Sequence, residues 1–379
     1  MTDEHARNAN ADQTADAGFD DQAVDADLEI THTFDPAKIK VNTVPVAIGG
    51  IVKRIDHREI DLEPSFQRRA RLWDIGSKSR LIESLLLRIP LPLFYVAADS
   101  KDNWKVIDGI QRLTTIHDFV KGHFKLSGLE YMDQLANLSY PELPRPMQRR
   151  IEETQLVINI IEDGTPEDMT INIFKRLNTG GIALTQQEIR NAVYAGKARQ
   201  FLRELVDLPS FQTATDHAIS DERMEAQEMV LRFLAFRFTP WRTYVEQDPG
   251  IDSFLNNAMH RLNEMSATEL QQLQAEFDRT MSLAHQLFGV NAFRKPPKTR
   301  NKLQPINRPL FEVWSVNLAE LTAQQQTTLI SNKSKLSMLI KELMNDAYFK
   351  VAILFANTKL DFIRYRFEKI QQIIDEVLQ

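Results

Sequence analysis

The residues best suited to chemistry lie at positions 106–115 (VIDGIQRLTT), where a hydrophobic run meets a tight turn and a helix begins. The free backbone amides in the first turn of such a helix attract an anion. Gln111 adds an amide donor, Arg112 adds a charged fork that suits phosphate, and Asp108 could hold a divalent metal or orient water. A capped helix with an ordinary surface arginine gives the same pattern, because Asp-Gly turns are common.

A second cluster mixes arginines with aromatic residues at positions 64–73 (PSFQRRARLW). Arg68, Arg69 and Arg71 lie between Phe66 and Trp73. Arginine next to aromatic rings suits phosphates and bases. Arginines on a solvated surface, with the two aromatic residues in the core, would give the same sequence.

A third cluster lies at positions 174–181 (FKRLNTGG) and is followed by EIRN at 188–191. A Gly-Gly turn beside Asn178 allows a ligand to approach the backbone closely. Arg176 and Arg190 would flank that ligand. A helix C-cap explains the two glycines equally well.

Positions 293–308 (FRKPPKTRNKLQPINR) hold six basic residues, no acidic residue and three prolines, so they are predicted to form a loop. Such a loop could contact several backbone phosphates of a nucleic acid, although a solvated basic loop would look the same. The predicted nucleic-acid contacts are Arg69, Arg71, Lys295, Lys298, Arg300 and Lys302.

Alternating helices and strands must position the first three clusters. Apolar residues recur at helical spacing over residues 76–88 until Pro90 and Pro92 end the helix. Residues 93–97 and 104–107 are predicted to form a hairpin or adjacent strands, and a helix follows up to Gly122. A strand is predicted at 155–161, a helix from 165 to about 177, and a helix through 194 that starts at the capping-box pair Thr185 and Glu188.

Beyond about residue 220 helical patterns dominate, at 223–238, 251–265, 267–287, 308–321, 336–355 and 359–378. The sequence therefore predicts an α+β protein, in which a mixed α/β domain precedes an all-helical domain. The predicted divisions are a disordered tail at 1–37, the α/β domain at 38–220 and the helical domain at 221–379.

Composition limits the function classes. The chain has 379 residues and a net charge of −6, but residues 1–37 contain ten acidic residues and one arginine. Because this tail contributes −9, the remaining 342 residues carry +3, and whole-chain acidity is no argument against a nucleic-acid partner. The lack of cysteine excludes disulfides, thiolate metal sites and cysteine nucleophiles. With no apolar run of about 20 residues and no signal peptide, a cytoplasmic protein without a membrane partner is expected.

Taken together, the clusters resemble the DGQQR-motif family, also called domain of unknown function two-six-two, which has a ParB/sulfiredoxin-like fold. It forms the N-terminal part of restriction enzymes such as GmrSD and of the phage-defence protein SspE. The resemblance covers residues 42–220. The matching positions are Pro64, Phe66, Gln67, Arg68 and Trp73; residues 82–85 with Ile89 and Pro90; residues 108–114; and residues 174–181 with Leu184 and residues 188–190.

The resemblance implies that this domain binds or hydrolyses a nucleoside triphosphate, with magnesium as a possible cofactor. Carried over by position, Asp108, Gln111 and Arg112 would be catalytic, and Asp108 would hold the metal. The other nucleotide-binding residues would be Gln67, Arg68, Gly109, Arg176 and Asn178. Ile110 departs from the family signature, which often has glutamine there, and this puts one ligand contact in doubt.

Many relatives carry a C-terminal HNH nuclease domain, but after residue 220 this sequence has only two histidines, His260 and His285. The favoured function is therefore a nucleotide-dependent sensor or regulator of DNA restriction or phage defence. It would act on DNA with a separately encoded nuclease or methyltransferase, and it could form homo-oligomers. The alternatives are a non-enzymatic nucleic-acid adaptor and a DNA-nicking enzyme that uses Asp108 and Glu83.

Overall fold

The computed structural model describes residues 40–62, 73–166, 169–171, 173, 185–194, 196–221, 223–296, 303–354 and 359–379. The predicted acidic tail at 1–37 lies outside the described residues. In the described part of the chain, no helix is both long enough and apolar enough to cross a bilayer.

The N-terminal region is built on one five-stranded mixed sheet. Its strands are β1 (Val41–Ala47), β2 (Ile60–Asp61), β3 (Phe94–Ala98), β4 (Trp104–Asp108) and β5 (Gln155–Ile161), in the order β1-β5-β3-β4-β2. β3 pairs antiparallel with β4 and parallel with β5. The predicted hairpin and the predicted strand at 155–161 are confirmed, whereas the sequence did not single out β1.

Four helices belong to this region: α1 (Ile48–Asp56), α2 (Ile75–Leu86), α3 (Ile110–Val120) and α4 (Arg145–Glu153). Their apolar residues share one buried cluster with Phe94, Val96 and Val106 of the sheet. The Asp74 carboxylate starts α2 by accepting a 2.8 Å hydrogen bond from the Ser77 amide. The two helices predicted from apolar spacing, α2 and α3, are therefore confirmed, and both cover the sheet.

The rest of the described chain is helical apart from short turns and one isolated bridge between Arg294 and Ile306. The helices are α5 (Gln186–Val193), α6 (Lys197–Val206), α7 (Pro209–Ala214), α8 (Glu225–Phe238), α9 (Trp241–Gln247), α10 (Ile251–Glu264), α11 (Ala267–Phe288), α12 (Arg308–Ala319), α13 (Ala323–Ser331), α14 (Lys333–Leu343), α15 (Ala347–Ala352) and α16 (Leu360–Leu378). The predicted α+β class is confirmed.

One predicted helix is wrong. Residues 336–355 were expected to form a single helix, but α14 ends at Leu343 and α15 begins at Ala347. Asp346 causes the break, because its carboxylate accepts the Phe349 amide at 2.7 Å and the Tyr365 hydroxyl at 2.9 Å. An aspartate that caps a new helix and bonds a neighbouring helix favours this break, although the apolar spacing continues through it.

A buried ionic network joins three helices of the helical region. Arg232 of α8 lies 2.7 Å from Glu312 of α12, and Arg366 of α16 lies 3.1 Å from the second oxygen of Glu312. Glu228 pairs with Arg232 at 2.8 Å. Burial opposes ionisation of Glu228, but the nearby arginines outweigh it and hold the Glu228 pKa at about 2. The network therefore stays charged within an apolar core.

The apolar cluster of the helical region extends back across the predicted boundary at residue 220. Ile189 and Ala192 of α5 and Phe201 of α6 belong to it. Ile107 of β4 and Ile161 of β5 belong to it as well, so this cluster also covers the sheet face opposite α2 and α3. The division at 220 itself stays a prediction.

Glu83 of α2 shows how a buried charge orders a loop. It is 3% exposed, and its two oxygens accept the backbone amides of Glu130, Tyr131 and Met132 at 2.9, 2.7 and 2.8 Å. Burial alone would raise the Glu83 pKa, but the three amide bonds more than compensate and lower it. The ionised carboxylate therefore stabilises the fold.

Glu83→Gln should destabilise the protein at pH 7 by about 2 kcal/mol, since charge-assisted hydrogen bonds are lost in a buried place. The folded pKa lies below the ordinary value of 4.5. The Glu83 contribution is thus fully present above pH 4.5 and is lost as the pH falls through the folded pKa. Urea unfolding of both proteins should show a stability difference that shrinks below pH 4.5. Glu130→Gln, at an exposed neighbour, is the control, and a difference that is constant with pH would contradict this account.

Candidate functional site

The candidate site lies where β4 ends at Asp108 and α3 begins at Ile110. Gly109 joins them with φ +96, a left-handed conformation that favours glycine. A Cβ at this position would lie 2.4 Å from Cδ1 of Phe94. Glycine also provides no side-chain cap for α3, so the amides of its first turn keep their attraction for an anion.

Arg112 binds three chain segments at this junction. Its Nη1 donates to the Pro92 carbonyl at 2.6 Å, and its Nη2 donates to the Leu93 carbonyl at 3.2 Å and to Oδ2 of Asp108 at 2.8 Å. The guanidinium lies 4.3 Å from the centre of the Phe94 ring. Burial lowers the Arg112 pKa, an effect that the Asp108 carboxylate opposes, and the side chain stays charged at neutral pH. Arg112 is thus mainly a positioning residue in this geometry.

Asp108 presents a carboxylate at the end of β4. Its side chain is 45% exposed, and only Oδ2 has a hydrogen-bond partner within the described residues. Oδ1 can therefore serve as a ligand. Because Mg²⁺ in phosphate sites needs only one or two carboxylates besides water and phosphate oxygens, a single Asp108 suffices chemically. No group of three or more metal-binding side chains occurs among the residues that the structure describes.

The first two turns of α3 also contain the polar residues Gln111 and Thr114. Gln111 is partly buried in the first turn. Thr114, three positions later and thus on the same side of the helix, has a buried Oγ1 without a hydrogen-bond partner among described residues. A helical threonine usually bonds the carbonyl four residues earlier. The sequence analysis gave Thr114 no role, and its place in the signature was the only signal.

β2, the strand that precedes the second cluster in sequence, ends on the same side of the sheet as β4. β2 is parallel to β4, with Asp61 opposite Lys105, so both strands end on the side where Asp108 lies. The predicted nucleotide ligands Gln67 and Arg68, and the predicted nucleic-acid contacts Arg69 and Arg71, follow β2 in sequence but lie outside the described residues. Arg176 and Asn178 of the third cluster also lie outside them.

Two charged residues that the sequence analysis linked to chemistry lie elsewhere. Glu83, the suggested second carboxylate of a nicking enzyme, uses both oxygens to hold residues 130–132. Arg190, expected to flank a ligand, is buried and pairs with Asp252 of α10. The spacing could not reveal either role, because the partners lie 47 to 62 residues away in sequence.

The basic loop at 293–308 is closed at its base. Arg294 is buried, donates to the carbonyls of Val290 at 3.0 Å and Thr215 at 3.3 Å, and lies 3.6 Å from Asp216. The Asn307 amide donates to the Phe293 carbonyl at 2.8 Å. Arg294 is therefore structural. Of the predicted contacts, Lys295 is partly buried, and Lys298, Arg300 and Lys302 lie outside the described residues.

Gly109→Ala should cost about 3 kcal/mol of stability, because the positive φ and the collision with Phe94 add. The matched control is Gly122→Ala, just after α3, where φ is +75 and the nearest atom to the added methyl would be Cδ of Pro141 at 3.6 Å. That variant should lose only about 1–2 kcal/mol. Urea unfolding measures both. Equal losses would show that contact with Phe94 contributes nothing.

A known protein family matches the part of the chain that contains the candidate site. Residues 48–195 match the family described as GmrSD restriction endonuclease, N-terminal domain. The match contains the whole β4–α3 junction and ends just after α5. Comparisons with curated proteins and with solved structures found no match. The resemblance of the N-terminal region to GmrSD-type restriction enzymes is thus confirmed.

Proposed function

We propose that this chain, whose residues 48–195 carry a domain of the GmrSD restriction endonuclease N-terminal family, binds a nucleoside triphosphate at the β4–α3 junction. The family match supports a DNA restriction or defence context. Within that context the bound nucleotide would regulate the action of a nuclease on DNA. The observation that carries the proposal is the uncapped start of α3 beside the half-exposed Asp108.

The junction offers each kind of group that a magnesium-bound triphosphate requires. The first-turn amides of α3 would donate hydrogen bonds to phosphate oxygens. Oδ1 of Asp108 would contact Mg²⁺ directly or through water. Arg112 would keep both in place through its bonds to Asp108 and to the start of β3. We extend the proposal to hydrolysis, in which Gln111 would orient the attacking water.

DNA cleavage is assigned in this proposal to a separate nuclease. His260 and His285 are the only histidines after residue 220. The His260 ring packs edge-on against Tyr194, with ring centres 4.9 Å apart, although His260 itself is exposed. This proposal assigns the region after α5 a regulatory role.

Arg112→Ala should weaken triphosphate binding at least tenfold, because Asp108 loses its partner and the first turn of α3 loses its tie to β3. Calorimetry with each of the four ribonucleoside triphosphates and Mg²⁺ measures the affinity, and phosphate release from the same samples measures hydrolysis. Arg54→Ala is a matched control: Arg54 lies 3.9 Å over the Trp104 ring and pairs with Asp102, at the opposite end of β4. It should leave binding unchanged. The proposal fails if the unaltered protein binds none of the four.

A second candidate function, a nucleic-acid adaptor, is favoured by the clamped base of the basic loop. Arg294 and the Phe293–Asn307 hydrogen bond hold the two ends of the loop together. The segment between these ends contains Lys295, Lys298, Arg300 and Lys302 and no acidic residue. Four cations presented from a fixed base suit contact with a phosphate backbone.

Replacing Lys298, Arg300 and Lys302 together with glutamine should lower the salt dependence of DNA binding. Each lost phosphate contact reduces the slope of log K against log salt by about 0.9, so the expected change is roughly 2.7. The control replaces three exposed lysines of the helical region, Lys341, Lys350 and Lys359. Fluorescence anisotropy over a salt series measures the slope. An unchanged slope in the loop variant would argue against this site. A slope that changes with added nucleotide would show that nucleotide binding and DNA binding are linked.

A further inference from the structure

α5 is a short helix with an unusual number of buried polar residues. Gln187, Glu188, Arg190 and Asn191 are each at most 3% exposed, although the helix has only eight residues. Buried polar groups cost free energy unless each finds a partner. The positions of those partners therefore indicate what the helix does.

Besides hydrogen bonds within α5 and to Thr185, three of these residues have partners after residue 220. Arg190 pairs with Asp252 of α10, and Asn191 donates to Gln227 of α8 at 2.7 Å. Arg223, just before α8, lies 3.2 Å from Glu188. α5 is thus held to two helices of the helical region by an ion pair and hydrogen bonds of fixed geometry.

The apolar residues of α5 belong to a buried core that continues to the sheet. Ile189 and Ala192 share one buried cluster with Ile107, the residue before Asp108 in β4. α5 is thus part of the core that continues to the strand ending at the candidate site, while its polar face binds α8 and α10. A displacement at the end of β4 must either be absorbed in this cluster or move α5, because packed interiors have little free volume.

We propose that α5 is the coupling element between the β4–α3 junction and the helical region, and that the Arg190–Asp252 pair transmits the coupling. Arg190 and Asp252 are positioning residues in this scheme. The Arg190 side chain is 4% exposed and that of Asp252 is 26% exposed, so separating the pair would leave the Arg190 charge poorly solvated. The ligand-driven part of the inference rests on the proposed nucleotide site, whereas the coupling itself does not.

The test is a double-mutant cycle in the full chain without nucleotide, read by hydrogen exchange of α8 and α10. Gly109→Ala perturbs the junction. If α5 couples the two parts, Gly109→Ala should speed amide exchange in α10 roughly fivefold or more. When Asp252→Asn is also present, the additional effect of Gly109→Ala on α10 should largely disappear. The proposal is overturned if the double variant changes the α10 exchange rate by the product of the two single fold-changes.

Two further variants make the cycle decisive. Glu276→Gln breaks a comparable pair, Arg237–Glu276 at 2.7 Å, which joins α8 to α11 without α5. Its effect should combine with Gly109→Ala without coupling. If Gly109→Ala does not fold, Arg112→Lys supplies a milder perturbation of the same junction. Lysine keeps the positive charge but lacks the guanidinium that donates to several oxygens at once.

The same exchange measurements with added nucleotide distinguish a failure of this inference from a failure of the proposed function. Where calorimetry shows triphosphate binding, adding that nucleotide should slow exchange in α10 of the unaltered protein and not of Asp252→Asn, with binding itself retained. Binding without any change in α10 overturns the ligand-driven part. No binding at all overturns the proposed function, while the nucleotide-free cycle still decides whether α5 couples the two parts.

Discussion

The hydrogen bonds of one guanidinium fix the geometry on which the candidate site depends. Arg112 ties the start of β3, the end of β4 and the first turn of α3 to one another while lying over the Phe94 ring. That ring in turn leaves no space for a Cβ at position 109. Aspartate, glycine and arginine of the signature are therefore one mutually dependent unit: the glycine makes room for the ring, the ring supports the arginine, and the arginine holds the aspartate.

Because Arg112 holds these segments together, its role differs from the one that its residue type suggests. An arginine beside an exposed helix start suggests a direct phosphate ligand, yet both of its terminal nitrogens already donate to protein oxygens. A bound polyphosphate would therefore rely first on the backbone amides of α3 and on a metal at Asp108. The charge of Arg112 would add long-range attraction, and its hydrogen bonds would preorganise the site.

Local patterns predicted those parts of the fold whose causes are local. The Asp-Gly turn, the apolar spacing of α2 and α3, the strand at 155–161 and the Thr185 capping box all follow from neighbouring residues, and all occur in the structure. The partners of Arg112, Arg190 and Arg294 could not be predicted in this way. They are backbone carbonyls or acids between 10 and 79 residues away, apart from the local contacts with Asp108, Gln187 and Val290. Only the folded chain shows which arginines are structural.

The same reasoning bears on how far the N-terminal domain stands alone. The family match ends at residue 195, but the polar face of α5 finds its partners at Arg223, Gln227 and Asp252. Cutting the chain after α5 would leave the Arg190 charge without its carboxylate and would expose the apolar residues that α5 shares with α8 and α10. Loss of one partner of a buried ion pair costs about 3–5 kcal/mol, a large part of the stability of an ordinary domain. The helical region is thus needed to complete the fold of the matched domain.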